Sequence, residues 1–173
     1  MKLNGYIIAC ICEGSAEQAI IELLLDNNML IFTYEQLIEE EIIRNRSAKE
    51  FEKRYLRKGF SSKITVLRIL DSRKEKFKLS KAYEDKVDVI NIITAPEIEM
   101  LIIFNEDKYK EFKKSKMKPS DFCKIKLQFS SVKSYDFVKG YFSDIDKLLT
   151  SINEYKRISN IPKKEDTLFN LLK

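Results

Sequence analysis

Two acidic residues of this chain each follow an apolar run directly. Glu13 follows the run that ends at Cys12, and Asp71 follows the run 64–70. Acids that close buried strands lie at the edge of a sheet, where ligands of α/β proteins bind. Mg²⁺ prefers oxygen ligands and is usually held by one or two carboxylates together with substrate phosphate. The spacing therefore predicts a site for Mg²⁺ or Mn²⁺ at Glu13 and Asp71, which are also the candidate catalytic residues.

Small residues follow both acids. Gly14 allows a sharp turn and the close approach of a phosphate to the backbone. The helix expected from Ser15 onwards would present its positive N-terminus to that phosphate. Gly14 and Ser15 are therefore the candidate cofactor-binding residues. The alternative is that Glu13 is a solvated acid helping to cap this helix and that Asp71 is a turn residue.

Further acids extend the candidate metal site. Glu17 in the first helical turn is a possible ligand, although acids are common there because they complement the helix dipole. Glu99 is surrounded by apolar residues, and a buried acid needs a partner. Glu97 has a simpler explanation as the third residue of a capping box with Thr94. Arg68, inside a strand, is expected to pair with such an acid or to point at phosphate.

The composition narrows the chemistry. The 173 residues include no histidine, which excludes histidine-based triads and HExxH metalloproteases. Three cysteines, Cys10, Cys12 and Cys123, fit buried thiols in a reducing compartment better than a disulfide framework or a zinc site. Catalysis must then rest on carboxylates, lysines, tyrosines, serines or thiols.

Positive charge is concentrated in one part of the sequence. The chain has a formal net charge of +5, and the segment 44–58 combines seven basic residues with only Glu50 and Glu52 as acids. A basic helix of this kind either tracks phosphates or forms a solvated surface. The residues proposed to contact nucleic acid are Arg54, Arg57, Lys58, Arg73 and Lys74.

The apolar periodicity predicts an α/β fold with a mainly parallel four-stranded sheet flanked by helices. The four predicted strands are residues 5–12, 29–32, 64–70 and 87–93. Capping boxes predict helices that begin at Ser15, Thr33, Ser47 and Thr94. Right-handed crossovers would bring the ends of the strands, with Glu13 and Asp71, to one edge of the sheet.

The chain is predicted to be a single domain, 1–173, with an α/β core at 5–105 and a helical extension at 106–173. The aromatic residues Tyr135, Phe137 and Tyr141 of the extension are a candidate surface for a protein partner. No apolar stretch is long enough for a membrane span, and the N-terminus lacks the design of a signal peptide. A cytoplasmic location is expected.

The residues 13–17, Glu-Gly-Ser-Ala-Glu, and the later Asp71 resemble the topoisomerase-primase (Toprim) domain. The resemblance covers residues 5–105 and is greatest to the small phage-defence nucleases related to the overcoming-lysogenisation-defect family. Residues 95–101 also look like the Pro-x-x-Glu helix that follows the last strand in shorter members. The resemblance implies that Glu13 is a catalytic base or metal ligand, that Gly14 forms the turn and that Asp71 is a metal ligand.

One position departs from that family. Where its members have a second aspartate, this chain has Ser72 followed by Arg73, so a ligand is missing or is supplied by Glu17, Glu97 or Glu99. Two functions remain open. The first is a Mg²⁺-dependent nuclease of phage defence that binds DNA or RNA, and the second is an inactive scaffold that acts as a binding or regulatory protein.

Overall fold

The computed structural model describes residues 7–57 and 63–173. Its centre is a parallel sheet of three strands in the order β1-β2-β3. The strands are β1, Ile7–Cys12, β2, Ile64–Leu70, and β3, Val87–Ile93. Residues 5 and 6 of the first predicted strand, together with Lys58, lie outside the described residues.

The connecting and C-terminal segments are mainly helical. The helices are α1, Ser15–Asp26, α2, Ala48–Phe51, α3, Lys81–Glu84, α4, Glu97–Asn105, α5, Tyr109–Ser115, α6, Pro119–Ile125, α7, Tyr135–Tyr141, and α8, Ile145–Ile158. A π-helical turn, Glu52–Leu56, continues α2. Short 3₁₀ turns lie at Tyr34–Gln36, Ile38–Glu40 and Leu168–Leu171.

Both faces of the sheet are covered, as the uninterrupted apolar runs require. Side chains alternate along β1, so that Ile8, Cys10 and Cys12 face the larger core while Ala9 and Ile11 face the smaller one. The larger core is filled by α1, α4 and the C-terminal helices. The smaller core is closed by α2 and its π-helical turn. The predicted α/β fold with a parallel sheet is confirmed at this level.

The predicted strand at 29–32 is wrong. Leu30 forms only an isolated antiparallel bridge, to Leu172, and the main-chain N–H of Ile31 donates to the carbonyl of Leu171. The short apolar run therefore pairs with the C-terminal segment instead of extending the sheet. A short apolar run is compatible with a buried strand, and it is equally compatible with a segment that makes only a single bridge.

The helix predicted from Thr33 towards Arg44 is also absent. Its capping box with Gln36 forms, but it caps a single 3₁₀ turn. Beyond that turn the chain runs beside the edge of β1, where the N–H of Ile43 donates to Cys10 and its carbonyl accepts from Cys12. These bonds occupy backbone groups that an edge strand would leave unpaired, and they require extended backbone instead of helix.

The predicted helix caps are partly correct. Ser47 caps α2 by accepting from the N–H of Glu50. At α1, Gly14 holds the N-cap position and makes no side-chain cap. Glu97 does not cap α4, because its Oε2 atom accepts from the N–H of Leu168 instead.

The segment after residue 105 is helical, as predicted, but the three aromatic residues proposed as a partner surface are only partly exposed. Phe137 stacks on Tyr141 with ring centroids 5.4 Å apart, and the hydroxyl of Tyr135 donates to Glu22. All three aromatic residues are half-buried against the larger core. They stabilise the packing of α7, and a partner surface at this helix stays a prediction. Within the described ranges, every helix is too short or too polar to cross a bilayer.

We expect the buried Glu97 to make stability depend on pH. Burial raises the pKa of Glu97 to about 8, so the folded chain keeps a proton that the unfolded chain loses near pH 4.5. Stability should therefore fall as the pH rises between these values, by at most about 1.4 kcal/mol per pH unit from this one group.

Urea unfolding at a series of pH values, with and without Glu97→Gln, checks this expectation. The glutamine keeps the acceptor for Leu168 without a titrating proton, so its stability should vary less from pH 5 to pH 8. Glu35→Gln, which changes an exposed acid, should behave like the wild type. Identical slopes in all three proteins would contradict the assignment.

Candidate functional site

The parallel register brings the two acids of the sequence motif to the same edge of the sheet. Cys12 pairs with Ile69, and the next residue, Glu13, donates its N–H to the carbonyl of Ile69 over 2.9 Å. The carboxyl group of Glu13 lies close enough to Asp71 for the charge of Asp71 to raise the pKa of Glu13 and for its backbone to lower it. Glu13 and Asp71 are therefore neighbours, as their positions after strands predicted.

Lys133 supplies a positive charge at this edge of the sheet. Its Nζ atom lies 2.6 Å from Oδ2 of Asp71 and 3.3 Å from Oε1 of Glu99. The hydroxyl of Ser15 donates to the carbonyl of Lys133 over 3.1 Å, which fixes the loop before α7 to the start of α1. Partial burial opposes the charge on Lys133, but the two carboxylates outweigh it and raise the pKa of the amine.

Glu17 lies beneath this arrangement and is almost fully buried. Its Oε1 atom accepts from the hydroxyl of Thr94 over 3.3 Å. Burial, together with the charge of Asp71, raises the pKa of Glu17, while Thr94 and Lys133 act in the opposite direction. Its other oxygen lies against Gly14, where an added Cβ would collide with it. A larger residue at position 14 would therefore require the carboxylate of Glu17 to shift.

Glu13 receives its positive partner from the opposite side of the sheet. Arg46 lies 3.6 Å from Oε1 of Glu13 and 3.2 Å from Glu75. Glu75 also binds the buried guanidinium of Arg68 at 2.9 Å, and Arg68 lies over the ring of Phe77. Burial raises the pKa of Glu13, and so does the negative charge of Glu75, while Arg46 lowers it. Arg68 thus pairs with an acid, as one prediction had it, but the acid is Glu75.

Two oxygens of the cluster have unused bonding capacity. Oε2 of Glu13 and Oε2 of Glu99 are buried and have no hydrogen-bond partner within 7–57 and 63–173. Unpartnered carboxylate oxygens in a buried place favour a proton or a cation. The all-oxygen donor set therefore fits Mg²⁺ or Mn²⁺ in kind. In the part of the chain that the structure describes, however, no three acidic or thiol side chains surround one point as metal ligands do.

The basic residues proposed to contact nucleic acid are scattered. Arg54 pairs with Glu39 at 2.6 Å, and Arg73 forms a two-pronged bond to Glu165. Arg57 and Lys74 are exposed, and Lys58 lies outside the described residues. Neither arginine with an acidic partner is available for phosphate without breaking an ion pair.

Sequence reasoning missed Lys133, Arg46, Glu75 and Thr94. Thr94 directly follows β3 and had been explained as a helix cap. Lys133 follows no strand and lies in a polar loop, so no local pattern distinguishes it from other lysines. Only the packing of the helical extension on α1 and α4 brings it to the carboxylates.

Comparison of the chain with protein-family models, with curated proteins and with solved structures finds no match.

We expect Lys133→Met to destabilise the fold by leaving Asp71 and Glu99 without their ammonium partner. The side chain of Lys133 is 46% exposed, so water replaces part of the interaction and the loss should be about 1–2 kcal/mol at pH 7. Urea unfolding measures it. Lys147→Met, a change of an exposed lysine on α8, is the matched control and should stay within about 0.5 kcal/mol of the wild type.

The double variant Lys133→Met, Glu99→Gln tests the electrostatic origin of that loss. Removing the buried charge that Lys133 neutralises should recover part of the lost stability, because the two changes share one interaction. Simple additivity of the two single changes would show that Lys133 acts through packing.

Proposed function

We propose that this chain is a Mg²⁺- or Mn²⁺-dependent nuclease that acts on DNA or RNA phosphodiesters in the manner of Toprim-like proteins. The observation that carries the proposal is the pairing of Glu13 with Asp71 at the carboxyl edge of a parallel sheet, directly before the N-terminus of α1. Ligands of open α/β sheets bind at this edge. The resemblance extends the proposal to phage defence.

Glu13 and Asp71 would hold the ion, with Glu17 and Glu99 as further carboxylates of the same cluster. A bound divalent ion would stabilise the negative charge that develops on the attacked phosphate. Glu13, beside the ion, would accept a proton from an attacking water.

Other residues of the edge would position the substrate. The first turn of the twelve-residue helix α1 presents free N–H groups beside Gly14, and such groups favour an anion. The half-exposed ammonium of Lys133 would contact a phosphate from the opposite side. Both contacts use groups that are already close to Glu13 and Asp71, so a phosphodiester bound there would lie beside the proposed base.

A binding or regulatory scaffold is the second candidate, and one specific observation favours it. Lys133 already neutralises Asp71 and Glu99, and Ser72 stands where the family has a second aspartate. A protein that uses its own ammonium in this way needs no metal ion to balance the cluster. Metal binding by the wild-type protein separates the two candidates.

The experiment combines metal binding with cleavage. Mn²⁺ titration by calorimetry should show binding in the wild type, and both Glu13→Gln and Asp71→Asn should abolish it. Cleavage of labelled single-stranded and duplex oligonucleotides in Mg²⁺ or Mn²⁺ should fall about 100-fold or more in both variants.

Glu35→Gln serves as the matched control, because it removes an exposed carboxylate far from the sheet edge in the same way. It should bind Mn²⁺ and cleave like the wild type. An intact fold of each variant is checked by urea unfolding. A wild type that binds an oligonucleotide but neither binds Mn²⁺ nor cleaves would reject the nuclease and favour the scaffold.

A further inference from the structure

We propose that the exposed lysines of α5 and α6 form the surface that binds the phosphate backbone of the nucleic acid. The proposal rests on the proposed function for the kind of partner, and it assigns a surface that the sequence analysis did not single out. The surface, called here the lysine face, consists of Lys108, Lys110, Lys113, Lys114, Lys116, Lys118, Lys124 and Lys126.

The lysine face carries more positive charge than the whole chain. Residues 108–126 contain these eight lysines and only two acids, Glu111 and Asp121, which gives a local charge of +6. The net charge of the entire chain is +5, so the remainder is slightly acidic. Such an asymmetric distribution attracts a polyanion to one side of the molecule.

The positive charges of the lysine face are also accessible to a ligand. All eight lysine side chains are exposed, and Lys108, with Glu111 at 3.3 Å, is the one that forms an ion pair within the described ranges. Lys113 lies 5.9 Å from the ring centroid of Tyr109 and keeps its charge in solvent. The buried side of the two helices is formed by aromatic residues, among them Phe112 and Phe122, whose rings pack edge to face.

The basic segment 44–57 is a poorer phosphate surface despite its sequence. Arg46 and Arg54 are engaged by acids, and Glu40 and Glu41 line the same cavity of about 530 Å³ as Arg44 and Arg54. A phosphate approaching this cavity would meet carboxylates as well as guanidinium groups. Its field is therefore largely cancelled, whereas that of the lysine face is not.

Helix α6 of the lysine face packs directly against α4, the helix that carries Glu99 of the carboxylate cluster. The thiol of Cys123 in α6 donates to the carbonyl of Glu99 over 3.7 Å, so α6 packs directly on the turn of α4 that carries Glu99. Lys124 in α6 and Lys126 directly after it are exposed. The chain then continues to Lys133 in the site. A strand lying on the lysine face could thus reach Glu13 and Asp71.

Nucleic acid fits this surface better than an anionic membrane. A helix that lies on a bilayer needs a broad apolar face beside its basic residues. The lysine face has one exposed large apolar residue, Ile125, at 61% exposure, because the aromatic residues of α5 and α6 point into the core. Lysines without an adjoining apolar face are suited to bind a phosphate backbone, because that binding depends on charge.

The test measures the affinity of the full chain for fluorescein-labelled oligonucleotides, single-stranded and duplex, by anisotropy in EDTA at several salt concentrations. The test variant replaces Lys110, Lys114, Lys118 and Lys124 by glutamine. The control variant removes the same number of positive charges from exposed positions outside the lysine face by replacing Arg44, Lys49, Lys53 and Lys147 by glutamine. Urea unfolding verifies that both variants are folded.

The test variant should bind about tenfold more weakly or worse at about 0.1 M salt, and its plot of log K against log salt for duplex should be shallower by about 3. The control variant should stay within about twofold of the wild type. Equal weakening in both variants, or greater weakening in the control, would overturn the proposal. So would a wild type that binds no oligonucleotide, with or without binding to phosphatidylserine vesicles.

The outcomes separate this proposal from the proposed function. Binding in EDTA requires no divalent ion, so loss of affinity in the test variant supports the lysine face even where cleavage is never observed. Cleavage by the wild type with undiminished affinity and cleavage in the test variant would retain the nuclease and reject the lysine face.

Discussion

The structure depends on the balance of charge at one edge of the sheet. Four carboxylates lie there with few positively charged partners, those of Glu13, Glu17, Asp71 and Glu99. Asp71 and Glu99 share the ammonium of Lys133, and a buried carboxylate without a partner is strongly unfavourable. The loop before α7 is therefore held at this edge through both its main chain and its lysine. The ion pairs of Lys133 therefore balance the charge of the edge and also add to the packing that attaches the helical extension.

On the opposite side of the sheet, a second and separate group of ion pairs balances the charges. Arg46 lies between Glu13 and Glu75, and Glu75 in turn neutralises the buried Arg68 of the central strand. Glu13 thus has its charged partners on the side of the smaller core, while Asp71 has its partner on the side of the larger one. The two neighbouring acids therefore have different charged partners, one on each side of the sheet.

The sequence predicted what local patterns determine. Three of the strands, the helices after the first and the last of them, and the meeting of Glu13 with Asp71 follow from apolar runs, from helix-start residues and from the geometry of parallel sheets. The run at 29–32 and the helix from Thr33 failed because long-range pairing, with Leu172 and with the edge of β1, overrides local preference. The partners of the acids, Lys133 above all, could not be predicted, because a lysine in a polar loop has no pattern until the extension is folded.

The parallel sheet also has a consequence for how the chain reaches this structure. Ile7 pairs with Ile64, and Ile64 with Val87, so neighbouring strands are joined by long connections and no local hairpin can start the sheet. Closing such loops is entropically unfavourable, and folds dominated by distant contacts form slowly. The carboxylate edge arises only when all three strands are aligned. A partly folded chain would accordingly have its helices before it had any site.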